Sequence, residues 1–112
     1  MNALDETFAA LADGTRRNAV DLLRRRPQRS GELAAALAVS PAAMSRHLRV
    51  LRRSGLVTED ALEDDARVRV YRLRPERFSD LRQWVEGVEA LWRGELNAFK
   101  THVERTRAKR RP

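Results

Sequence analysis

Apolar residues recur along this chain at spacings that switch from helical to strand-like and back. Leu4, Phe8 and Leu11 lie four and three residues apart, predicting a first helix from about Ala3 to Ala12. Asp13-Gly14 breaks it, and Asp13 or Thr15 is placed to cap a second helix to about Arg26, with Ala19, Val20, Leu22 and Leu23 on its apolar side. Pro27 ends that helix. Ser30 is the expected cap of a third, from Gly31 to about Ala38, which buries Leu33, Ala34 and Leu37. Glu32 in its first turn complements the positive end of the helix dipole.

Val39 and Ser40 then form a tight turn. Ser40-Pro41 is a strong helix start, since serine accepts orphan backbone N–H bonds and proline is tolerated at the first helical position. The fourth helix continues to about Arg53, and Gly55 supplies a left-handed stop. With Met44 at zero and 100° per residue, Leu48 and Leu51 fall within about 40° of it. Ala42, Ser45, Arg46, Arg49 and Arg53 fall between about 100° and 200°, on the other side. A helix divided in this way buries one face in a small domain and offers the other to the major groove of DNA. On that face Ala42 suits a thymine methyl, Ser45 is a permissive polar contact, and Arg46 and Arg49 are the best guanine readers. Arg53, at the helix end, suits a phosphate.

Leu56 to about Leu62 and Val68 to Leu73 read as two strands around Glu63-Asp64-Asp65, so the fourth helix is followed by a hairpin, the wing of a winged helix. In the second strand Val68 and Val70 share one face, Tyr71 and Leu73 the other. Either a bulge or a sheet half-covered on both faces follows. Pro75 opens a last helix reaching about Arg105, with Leu81, Val85, Val88, Trp92, Leu96, Phe99 and Val103 in helical register and Trp84 and Leu91 widening the stripe. So broad an apolar arc exceeds what one small domain covers. A second copy is the expected cover, through Leu4, Phe8, Trp84, Val88, Leu91, Trp92 and Phe99. The expected organisation is one mostly helical domain over 1–106 with a small β-hairpin, and a frayed basic tail over 107–112.

Charge sharpens this picture. The net charge is +7, and 21 of the 23 basic residues are arginine, which favours a polyanionic partner. Residues 59–66 interrupt the basic chain with five acids and no base. The simplest role for this stretch is a soluble hairpin tip; the alternatives are a contact for a basic partner or a device that weakens non-specific DNA binding. On the returning strand Arg67, Arg69 and Arg72 are candidates for phosphate, as are Arg16 and Arg17 at the start of the second helix. Cysteine is absent, which removes disulfides and thiolate metal ligands. His47 lies about 60° from the buried centre of its helix and reads as a packed residue; His102 reads as a partly exposed one. With two distant histidines, neither a metal nor another cofactor is expected. No phosphate loop, nucleophile elbow or paired carboxylates in an apolar setting point to catalysis. No membrane span or signal peptide is visible, so a cytoplasmic protein is expected.

The segments LADGTRR at 11–17, GELA at 31–34, SPAAMSRHLRVLRRSGLV at 40–57 and VYRL at 70–73 resemble the winged-helix repressors of the ArsR/SmtB family. LWRGELNAF at 91–99 is similar to the metal-independent SdpR-like autorepressor branch. The resemblance covers nearly the whole chain. It implies a homodimer built on the first and last helices that binds an inverted-repeat operator on double-stranded DNA and represses transcription. It also implies that the region matching Ser40–Arg53 enters the major groove while the wing follows the backbone. Where family metal sensors carry paired cysteines in the third helix, this chain has Glu32-Leu33-Ala34-Ala35. In the last helix Asp80 is followed by Arg82 and His102 by Arg105, so the other family metal site is also missing. Gly14 stands where the family usually has proline, and the wing carries acids where basic or glycine-rich tips are common. Two other readings use the same fold: a protein-interaction module for an acidic partner, and a regulator with a small organic effector between the long helices.

Overall fold

The computed structural model describes residues 2–110, with side chains through Ala108. Residues Met1–Asp80 form one compact unit and Leu81–Pro112 a second. The elements run α1 (Ala3–Leu11), α2 (Gly14–Leu23), α3 (Ser30–Leu37), α4 (Pro41–Arg53), β1 (Val57–Ala61), β2 (Arg69–Leu73) and α5 (Pro75–Arg110). This is a winged helix-turn-helix: five helices and a two-stranded wing.

Local chemistry explains most boundaries. Asn2 caps α1, its Oδ1 accepting from Asp5 N at 2.8 Å. Of the two residues able to cap α2, Asp13 does so, accepting from Arg16 N at 3.1 Å. That backbone bond is the main reason its carboxyl lies below the ordinary carboxylate range; partial desolvation opposes it, and His47 and the Arg16 charge assist. The helix α2 ends at Leu23, three residues earlier than expected. The cause is a pairing invisible to local periodicity. Gln28 exchanges both backbone bonds with Tyr71, at 3.1 and 2.8 Å, so the chain must already be extended there, and Pro27 disfavours helix at the residue before it. Buried Gln28 also donates from Nε2 to Leu22 O at 2.8 Å.

Arg29, not Ser30, takes the cap position of α3, and Glu32 reaches back to accept from Arg29 N at 3.1 Å. Ala38 turns the chain out of α3 in the left-handed region, φ 56° and ψ 42°, so the turn begins one residue before Val39. The hairpin is regular: Val57 faces Leu73, Glu59 faces Tyr71 and Ala61 faces Arg69. No bulge is needed, because the sheet is half-covered on both faces. Val57 is buried with Leu73 and Tyr71 packed beside it, while Val70 is buried on the opposite face.

The core of the first unit is a cluster of Ala10, Ala19, Leu23, Leu33, Ala34, Met44, Leu48, Leu51, Leu56 and Val57. From Leu81 onward α5 forms the second unit, held by ion pairs one turn apart such as Arg93–Glu89 at 2.7 Å. Trp84, Val88, Leu91, Trp92 and Phe99 are exposed along it, from 48% to 69%. On α1, Phe8 is exposed and Leu4 half-buried. The expected tail at 107–112 is corrected in part: 107–110 continue the helix, as nothing there breaks its period, and 111–112 lie outside the described residues.

Candidate nucleic-acid interface

The helix α4 is anchored before it is exposed. Met44, Leu48 and Leu51 are at most 1% accessible, so its orientation is set by the same cluster that holds the unit together. At its start Ser40 Oγ accepts from Ala43 N at 3.1 Å with Pro41 at the first helical position; at its end Gly55 sits at φ 81°. The left-handed backbone at Gly55 favours glycine, and an added side chain would also press on Arg77 Nε at 3.2 Å.

The opposite face is open. Ser40, Ala42, Ser45, Arg46, Arg49 and Arg53 are all exposed. Arg46, Arg49 and Arg53 make no hydrogen bond or ion pair among the described residues. Each presents a planar fork of donors able to grip guanine O6 and N7 or a phosphate. Arg53 borders a recess of about 340 Å³ lined by Glu6, Ala9, Val50 and Arg16, which sets it apart from the Arg46–Arg49 pair.

The other arginines expected to meet phosphate, Arg16, Arg17, Arg67, Arg69 and Arg72, each have a partner within the chain. Arg16 points back over the end of α1: Nε donates to Ala10 O at 2.6 Å, Nη2 to Ala9 O at 3.2 Å and Nη1 to His47 Nδ1 at 3.3 Å. A phosphate contact from Arg16 would have to draw on the same guanidinium. All three nitrogens are committed, and the cation neutralises the negative end of α1. Arg17 commits only Nη1, to Leu11 O at 2.7 Å, and stays exposed. His47 is half-buried beside Arg16, with Asp13 Oδ1 4.0 Å from its Nδ1.

Three acids of the wing hold arginines. Glu59 accepts from Arg52 at 2.5 Å and from Arg69 at 3.3 Å, Asp60 pairs with Arg72 at 2.9 Å, and Asp65 takes Arg67 at 3.2 Å. The Arg67 bonds, side chain first and backbone second, hold the Asp65 carboxyl below the ordinary range. Tyr71 lies across the strand from the same carboxylate. Burial, and then the Glu59 charge, raise its phenol above 10.0. Glu59, Tyr71, Ser45, Arg49 and Arg52 together line a recess of about 190 Å³ between wing and helix. Sequence reasoning missed Arg52 and the pairing role of Glu59. The signal was available only in the register, which sets Arg69 diagonally across from Glu59.

Among the described residues no group of three potential ligands is placed to hold a metal ion, and no helix is long and apolar enough to cross a membrane.

With this geometry in place, comparison with known proteins is informative. The family described as "Bacterial regulatory protein, arsR family" matches residues 13–59, from the cap of α2 to the first wing acid. The HTH-type transcriptional regulator Rv2034 of Mycobacterium tuberculosis is 44% identical over 100 residues, covering 89% of this chain and 88% of its own. The chain belongs to the ArsR family. An ArsR-like transcriptional regulator from Rhodococcus sp. RHA1 has a similar structure, with TM-score 0.75 and 32% identity over 88% of this chain and 91% of that one. So does Mb0332 of Mycobacterium bovis, a homodimeric winged helix-turn-helix DNA-binding domain in solution, with TM-score 0.61, 25% identity and 79% of each chain covered. This ArsR-family protein is a DNA-binding transcriptional regulator, not an enzyme.

Proposed function

We propose that this regulator is a homodimeric repressor that reads guanine-containing half-sites of an inverted repeat and controls its own transcription in the cytoplasm, as in the SdpR-like branch, without a metal cofactor or metal-ion control. One observation carries the reading: Arg46 and Arg49 are exposed and unpaired among the described residues, on a capped helix whose other face is buried in the core. Ala42 and Ser45 accompany them in the groove. Ser40, Arg53 and Arg17 meet phosphates, and Arg67 and Arg69 do so only by leaving their carboxylates.

A second copy covers the apolar residues of α5, with Leu4 and Phe8 of α1 contributing to the same contact. Seven exposed large apolar side chains within sixteen residues of one helix support this reading. The cysteine-free sequence and the Glu32-Leu33-Ala34-Ala35 segment support the absence of metal control.

The test is a reporter driven by the promoter upstream of the protein's own gene, together with sedimentation of the purified protein. Repression that persists in excess zinc, and a dimer that Trp92→Asp dissociates with loss of operator binding, are the expected results. Relief of repression by zinc would overturn metal independence. A monomer that still occupies both half-sites cooperatively would overturn the dimer.

A further inference from the structure

Two features of the wing do not follow from repression. Its three arginines are each matched by a carboxylate, and one of those carboxylates, Glu59, also reaches Arg52 on α4. Glu59 is the least exposed partner in the set: 20% of its side chain is accessible, against 54% for Arg52 and 50% for Arg69. It therefore presents a partly buried anion to two arginines whose outer faces meet solvent, with Tyr71 facing it from across the strand. That is the arrangement a DNA phosphate would otherwise provide.

We propose that Glu59 is a specificity-determining positioning residue: it stands in for phosphate and withholds Arg52 and Arg69 from the DNA backbone. Backbone affinity stays low, and the free Arg46 and Arg49 carry a larger share of binding. The inference rests on the DNA-reading role of α4. It adds that the acidic wing suppresses non-specific binding instead of gripping the backbone. Each phosphate contact contributes roughly 0.9 to the slope of log affinity against log salt, so withheld and engaged arginines are distinguishable by counting.

The test measures binding to a labelled random-sequence duplex, over a salt series, for wild type, Glu59→Gln, Arg52→Gln and the double variant. Glutamine keeps the size and shape of the side chain but removes the charge. Glu59→Gln is expected to bind more tightly, with a slope steeper by roughly 1 to 2 per protomer. Arg52→Gln alone should match wild type, yet remove about one unit when added to Glu59→Gln. An unchanged slope in Glu59→Gln, or a flatter one in Arg52→Gln alone, would overturn the proposal. If Glu59→Gln does not fold, as judged by circular dichroism, Arg52→Gln alone still decides. Failure of every form to bind any duplex would overturn the DNA role of α4 itself, and this inference with it.

Discussion

The outer face of α4 and the neighbouring wing both carry arginines on exposed backbone, yet the two present different chemistry. On α4, Arg46 and Arg49 face solvent without a partner among the described residues, above a face sealed by Met44, Leu48 and Leu51. In the wing, Arg67, Arg69 and Arg72 each rest on a carboxylate of the same hairpin. Number of arginines therefore says little about where DNA is gripped; what matters is whether the counter-charge is already inside the protein. On the proposed reading, a helix offering free guanidinium forks beside a wing whose arginines are already paired would be weighted toward base edges.

The comparison breaks most completely if the anchor of α4 is removed. Leu48→Ala should cost about 2–5 kcal/mol of unfolding free energy in a urea titration, because the site is fully packed and only partly able to collapse. Next in size, Arg46→Ala or Arg49→Ala should cost about 1–3 kcal/mol of operator binding and relax preference at one base position, measured on single-base operator variants. Ser40→Ala should lower stability by about 1 kcal/mol through loss of the cap bond to Ala43 N, seen as a lower urea midpoint at unchanged slope. The smallest effect belongs to the wing. Breaking the exposed Arg72–Asp60 pair with Asp60→Asn should change stability by less than about 1 kcal/mol, whereas the same assay on α4 core positions moves several times as far.

Acid sharpens the contrast from another side. Asp13, Glu32 and Asp65 all have carboxyls held below their ordinary values, the first two by backbone N–H bonds at helix starts and the third chiefly by the Arg67 side chain. A depressed folded-state value means the stabilisation is present above the unfolded-state value and is lost as pH falls through the folded one. Stability should therefore be flat near neutrality and decline below about pH 4, where unfolded carboxylates begin to bind protons. Asp13→Asn, which keeps a capping oxygen, should make that decline shallower.

The helix proposed to read DNA was largely legible in the sequence because its determinants are local. Ser40-Pro41 begins it, Gly55 stops it, and a 100° period separates Met44, Leu48 and Leu51 from the arginines. Each is a statement about residues within a few positions of one another. Arg16 shows where such reasoning stops. Its place in the first turn of α2 was readable, but not that the end of α1 lies beneath it, offering the carbonyls of Ala9 and Ala10. Glu59 and Gln28 fail for the same reason. The partners of Glu59 come from β2 and from α4, and Gln28 meets Tyr71 more than forty residues on, contacts that only the assembled register brings together.

The central claim is that the free guanidinium row of α4 reads sequence. Selection of bound duplexes from a random pool by wild type and by Arg49→Ala tests it most directly. An inverted repeat with guanine in each half-site, losing its preference at one symmetric position in the variant, is the predicted result. The same sequences recovered by both proteins, with affinity merely lowered throughout, would assign that arginine to phosphate and contradict the account.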